Sequence, residues 1–259
     1  MDPLFTVLGF LVGAVVGFTG VGGGSLMTPL LLMLGVSPAT AVGTDLLYAA
    51  LTKCGAVWVH GRQRTVAWSV VGRMALGSIP AALLAVLLLR GRMGEGGELE
   101  RIVVATLSVS LVLTALVLLA RERIGAVATA GGPFSRWRER WRGPATVVAG
   151  ALIGVLVALS SVGAGALGAA VLVVLYPGLR AVHVVGTDLA HAVPLAAVAG
   201  LGHLHLGTVD GALLASLLAG SLPGIYLGTR IGGRLPERYM RRALGCVLLT
   251  VGVGLGLGG

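Results

Sequence analysis

Val42-Gly43-Thr44-Asp45-Leu46 returns as Val185-Gly186-Thr187-Asp188-Leu189, 143 residues further along the chain. The same offset carries His60 to His203, Thr65-Val66 to Thr208-Val209, Gly77-Ser78 to Gly220-Ser221 and Pro80 to Pro223. It also takes Gly35 to Gly178, and Gly20 and Gly22 to Gly163 and Gly165. Chance similarity between apolar segments would match Leu, Ala and Val. A gap-free shift that matches Gly, Thr, Asp, His and Pro marks a duplication. The chain is therefore expected to fold as two copies of one unit, residues 1–120 and 144–259, joined by a basic linker at 121–143.

Each copy reads as a broken apolar run followed by three plainer ones. In the first copy the run 4–34 is interrupted by Gly20-Val21-Gly22-Gly23-Gly24, and segments 37–59, 65–89 and 102–120 follow. In the second, the run 144–176 is interrupted at Ser161-Val162-Gly163-Ala164-Gly165, ahead of 179–202, 208–228 and 236–257. Segments of about 20 apolar residues span a bilayer. Only 11% of residues are charged and mean hydropathy is +0.97, against about 25% charged in soluble domains. This excludes a water-soluble fold. The net charge of +9 would suggest nucleic acid in a soluble protein, but here the arginines sit in short loops, as membrane topology demands. The start Met1-Asp2-Pro3 lacks a positive n-region and reads as a retained membrane element. Cys54 and Cys246 lie in apolar segments without metal or disulfide spacing and read as small core residues. In the linker, alternating Arg and Trp from Arg136 to Arg142 suits the lipid headgroup layer.

Loop arginines discriminate between topologies. If each broken run crosses the membrane, eight loop arginines face nine. If each enters and returns on one side, fourteen face three, and the three are accompanied by Glu95, Glu98 and Glu100. The positive-inside rule selects the second arrangement. The expected fold is thus an all-α polytopic membrane protein of two inverted repeats, each a re-entrant broken-helix hairpin plus three transmembrane helices. Both termini face outward.

A break in a helix survives in hydrocarbon only against protein or a wet cavity. The start of a half-helix presents free N–H groups and a partial positive charge. Two such starts, after Gly24 and after Gly165, make a candidate anion site without a buried arginine. Gly20, Gly22, Gly23, Gly24, Gly163 and Gly165 let the backbone approach a ligand, and Thr19 and Ser25 add hydroxyl donors. Scattered glycines such as Gly13 and Gly17 read as helix-packing positions.

Ionisable residues within the membrane are costly and mark function. Asp45 and Asp188 sit about 12–14 Å deep by helical rise. With Thr44 and Thr187 they are candidates for the site or its gate; alternatively, each Asp caps backbone exposed by a neighbouring hairpin. Lys53, the only lysine, and Arg73 reach a similar depth to Asp188 and either pair with it or snorkel to the surface. His191 lies near mid-membrane, as a proton carrier or as a satisfied core residue. His60 and His203 fall at helix ends, and Pro80, Pro194 and Pro223 are expected to kink helices.

The run Gly17-Phe18-Thr19-Gly20-Val21-Gly22-Gly23-Gly24, then Pro29 and Val42-Gly43-Thr44, with Val185-Gly186-Thr187-Asp188 in the second half, resembles the TauE/SafE family of sulfite and organosulfonate exporters. The resemblance covers nearly the whole chain outside the linker. It implies a transporter of the bacterial inner membrane that moves a small sulfur-containing anion such as sulfite, sulfoacetate or thiosulfate. Membrane lipids are the further partners, with no cofactor and no nucleic acid; a proton gradient, with protons as coupling ion, or the anion gradient itself would drive transport. No nucleotide-binding motif occurs, which argues against ATP coupling within the chain. An anion channel with the same site and an intramembrane hydrolase using Ser25 are the alternatives. For the hydrolase, no histidine is placed to activate Ser25.

Overall fold

The computed structural model describes residues 2–19, 26–91, 97–129, 133–231 and 237–258. Among these, all regular structure is helical. The ten helices are α1 Pro3–Thr19, α2 Met27–Met33, α3 Pro38–Arg62, α4 Trp68–Arg90, α5 Glu98–Thr129, α6 Pro133–Ser160, α7 Ala166–Leu175, α8 Ala181–His205, α9 Gly211–Ile231 and α10 Glu237–Gly258. Helices α3 and α8 begin and end at the repeat offset, and α4 and α9 begin at it. The linker segment 121–143 is helical in its described residues, extending α5 and opening α6.

Local sequence sets these boundaries. Ser37 caps α3 by accepting from the Thr40 N–H, with Pro38 in the first turn. Asp210 caps α9, its Oδ1 accepting from Ala212 and Leu213 N–H at 2.8 and 3.0 Å. The ends of α3 and α8 share one device. The Thr65 N–H and hydroxyl both donate to the His60 carbonyl, and Thr208 does the same with His203. A left-handed residue closes each turn, Gly207 at φ 72° and, in the other copy, Arg64 at φ 54°.

Five helices, α4, α5, α6, α8 and α9, are long and apolar enough to cross a membrane. Their outward faces carry bare leucines, among them Leu76, Leu88, Leu116, Leu152 and Leu222, which only lipid solvates without cost. Helix α3 is not one of the five. It carries Thr44, Asp45 and Lys53 on buried positions, and a helix lined by protein need not be apolar. All four tryptophans, Trp58, Trp68, Trp137 and Trp141, are exposed where α3 ends and where α4 and α6 begin, an aromatic belt at one end of the bundle. Cys54 and Cys246 are exposed rather than core. A thiol is apolar enough to face lipid chains as easily as protein.

Packing interlocks the copies. Helix α1 lies along α9, and α6 along α4. A Cβ on Gly9, Gly13 or Gly17 would overlap the backbone of Leu217, Ser221 or Ile225; one on Gly220 or Gly224 would overlap Thr6 or Phe10. In the other interface Gly150 and Gly154 meet Met74 and Ser78, and Gly77 meets Val147. Contact numbers rise together along both helices of each pair, so each pair is parallel. Antiparallel α5 and α10 meet through Gly245, Gly252 and Gly256. These contacts correct the gap-free offset. Gly9 and Gly13 correspond to Gly150 and Gly154, an offset of 141, while the partner helices keep 143. Two extra residues therefore lie between α6 and α8.

Gly154→Leu should wedge α6 from α4 and lower stability by about 1–3 kcal/mol or more. Gly55→Ala, at a helical position open to the surroundings, should be neutral or raise stability by about 0.5–1 kcal/mol. Melting of the two detergent-purified variants checks this; equal melting points would mean the glycine contact is not tight.

Candidate functional site

The repeated Gly-Thr-Asp motif divides its work among its three residues. Gly43 lets α3 touch the His203–Thr208 turn, and Gly186 lets α8 touch the His60–Thr65 turn. Thr44 Oγ1 accepts from the Asp210 N–H at 3.1 Å, and Thr187 Oγ1 accepts from the Ala67 N–H at 3.0 Å. Each threonine thus satisfies the first amide of a helix in the opposite copy. The histidines complete the clasp. His60 Nδ1 and Thr65 Oγ1 are 2.7 Å apart, His203 Nδ1 and Thr208 Oγ1 2.9 Å, and His203 Nε2 meets the Ala158 carbonyl at 2.9 Å. His203 is buried rather than interfacial.

The aspartates turn inward. Asp45 is fully buried, and its Oδ2 accepts from Thr28 Oγ1 of α2 at 2.6 Å. Ser161, at the break between α6 and α7, stands near the same carboxylate, with no hydrogen bond between the two. One side chain therefore meets elements of both broken runs. Asp188 lies against the first turn of α7, where its Oδ1 fills the space a Cβ on Gly168 would need. Lys53 is 8% exposed and within Coulombic reach of both carboxylates. It has no counterpart in the second copy, where Ala196 stands. Arg73 points away, its Nη1 3.5 Å from the Tyr176 hydroxyl. The cation that acts on Asp188 beside Lys53 is Arg121 of α5.

One turn deeper along each central helix lies a second pair. His191 Nε2 is 2.8 Å from Ser78 Oγ. The repeat offset turns His191 into Tyr48 and Ser78 into Ser221. Tyr48, Ser78, Ser221, Thr28 and Ser161 are absent from the sequence-derived candidates. The signal for three of them was available, since Ser78–Ser221 is a repeat match and Tyr48 aligns with His191.

The centre is polar beyond its own needs. Asp45 Oδ1, Tyr48 OH, Ser161 Oγ, Asp188 Oδ1, His191 Nδ1 and Ser221 Oγ are buried without a hydrogen-bond partner among the described residues. Each such atom costs about 1–3 kcal/mol when nothing meets it. The break is open-ended too. Ser161 has φ 58° and Gly163 φ 112°, and Gly165 opens α7 with no side-chain cap. Gly20, Gly22, Gly23, Gly24 and Ser25 lie outside the described residues, as does the side chain of Thr19, which ends α1. No cluster of three metal-ligating side chains occurs among the described residues.

Thr44→Val or Thr187→Val should remove the partner of a helix-start amide, exposed at Asp210 and half-buried at Ala67, and cost about 0.5–1.5 kcal/mol each, with Thr→Ser milder. Thermal melting checks this. Unchanged melting would show that the amides find other acceptors.

A family model for "Sulfite exporter TauE/SafE" matches residues 5–255. The chain is 38% identical over 222 residues to the probable membrane transporter protein YjnA of Bacillus subtilis (strain 168), covering 84% of this chain and 85% of that protein. It is 29% identical over 230 residues to the probable membrane transporter protein YdhB of the same organism, covering 83% and 84%. No solved structure matches the chain. With a family match across almost its entire length and five helices fit to span a bilayer, the chain belongs to the TauE/SafE family, a multi-pass membrane transporter and not an enzyme.

Proposed function

We propose that the chain is a secondary transporter of a small sulfur-containing oxyanion, of the sulfite or organosulfonate class, bound between the two broken runs. The observation that carries this reading is the buried set of unpartnered polar atoms around Asp45 and Asp188, drawn from α3, α8, α9 and the α6–α7 break. Hydroxyls of Tyr48, Ser161 and Ser221 and the imidazole of His191 supply hydrogen-bond donors, and Lys53 supplies a positive charge. The uncapped start of α7 adds the positive end of a helix dipole. The family description names sulfite.

The two copies are inverted, and each broken run re-enters. The support is directional. Helix α1 parallels α9, and the start of α9 adjoins the start of α3 through Thr44 and Asp210. Hence α1 and α3 point the same way, and the chain must come back between them through α2. The same reasoning through α4, Ala67 and Thr187 sets α6 parallel to α8, with α7 returning. The C-terminal turn of α3 meets the start of α8 and the reverse, so the two central helices are antiparallel. Under this topology the arginine-rich end and the tryptophan belt are cytoplasmic.

Proteoliposomes holding the purified chain should take up or release sulfite, thiosulfate or sulfoacetate with saturable flux. Ser161→Ala and Lys53→Ala should each cut that flux by about tenfold or more, the loss of roughly 1.4 kcal/mol at the site. If none of the three anions crosses above protein-free vesicles, the oxyanion assignment fails. Non-saturating flux would indicate a channel.

A further inference from the structure

The start of α7 has no side-chain cap, its Leu167 and Gly168 amides turning back to the Gly163 carbonyl, and a carboxyl group already lies against it. Asp188, 5% exposed, lies against Gly168 in the first helical turn with its Oδ1 buried and unpartnered. No side chain larger than hydrogen fits between them. Asp45 differs, because its carboxylate is held by the Thr28 hydroxyl. We infer that Asp188 is a built-in stand-in for the substrate anion, displaced from the start of α7 when the oxyanion binds and neutralised there by a proton, so that anion and proton load together and cross as symported partners. This rests on the oxyanion reading above and assigns its coupling.

The argument is one of charge and space. A helix start attracts an anion through its dipole and free amides. Two negative charges cannot share that position in a buried, weakly screened setting. When the oxyanion arrives, the carboxylate must lose its charge or find another cation. The groups facing it are few. Lys53 faces it from α3 and Arg121 from α5, and His191 lies one turn on along α8, engaged by Ser78. From α4, Arg73 is turned to Tyr176. Helix α7 itself carries no ionisable side chain. Lys53 is shared with Asp45, and Lys53 and Arg121 both already act on Asp188 where it stands, so the arriving anion brings it no new cation. A proton is the remaining neutraliser. Because it is taken up when the anion binds and released when the anion leaves, the two share one direction of travel.

The test is calorimetric binding of thiosulfate and sulfoacetate, which keep their own charge between pH 6 and pH 8, to the detergent-purified full chain. The inference expects affinity to rise as pH falls, by up to about tenfold per pH unit for one proton per anion. Asp188→Asn should bind with an affinity independent of pH, while Asp188→Glu should restore the slope. In proteoliposomes containing the unaltered protein and a pH-sensitive dye, an inward thiosulfate gradient should acidify the lumen. Flat pH dependence in the unaltered protein, an unchanged slope in Asp188→Asn, or luminal alkalinisation would each overturn the coupling while leaving anion binding intact. Failure of both anions to bind at any pH would instead sink the oxyanion reading, and the inference with it.

Discussion

The two copies are joined by hydrogen bonds that the first amides of α9 and α4 give to threonines of the opposite copy. An unpaired N–H is costly wherever protein and lipid keep water from it. The copies meet this need for each other. Thr44 accepts the amide of Asp210, and Thr187 accepts that of Ala67. The clasp also fixes the relative depth of α3 and α8, and so brings Asp45, Lys53 and Asp188 into one neighbourhood.

Around that clasp the copies exchange their first helices. Helix α1 lies along α9 and α6 along α4, with glycines at the contacts so that backbones touch. In lipid there is no hydrophobic force between apolar helices, and close van der Waals contact takes its place. The result is a tight outer frame around a centre that is polar, partly unpartnered and asymmetric. The asymmetry is chemical. Lys53 faces Ala196 across the repeat, and Tyr48 corresponds to His191. A duplicated frame with two different linings suits a transporter whose two sides must handle one ligand in two orientations.

Much of the fold was legible because duplication preserves what burial demands. The offset found in the Gly-Thr-Asp motif, His60, Thr65, Gly77 and Ser78 reports the residues that join the copies, and those residues do touch in the structure. It misled in the first helix, where Gly9 and Gly13 follow a shift of 141. Helix-packing glycines recur so often in apolar sequence that a two-residue slip leaves many accidental matches. The aspartates were identified by the repeated Gly-Thr-Asp motif and by depth, and Asp45 meets the Thr28 hydroxyl of α2. Arg73 was offered two places, beside Asp188 or at the surface, and its Nη1 lies 3.5 Å from the Tyr176 hydroxyl; depth along a helix says nothing about azimuth. Arg121 was missed because it reads as a linker charge, whereas α5 continues through it. Thr28 and Ser161 carry no periodic or motif signal, and only the turn of the chain at each break brings them to Asp45.

The proposed re-entry of the broken runs would give the two copies a common centre, and labelling tests it most directly. Single cysteines at Pro3 and Leu34, in a background with Cys54 and Cys246 replaced, can be probed in whole cells with a maleimide that does not cross the membrane. Both should react from the outside, since α1 enters and α2 returns on one face, and a cysteine at Gly178 should react only after the cells are opened. Reaction of Pro3 and Leu34 from opposite sides would contradict the account.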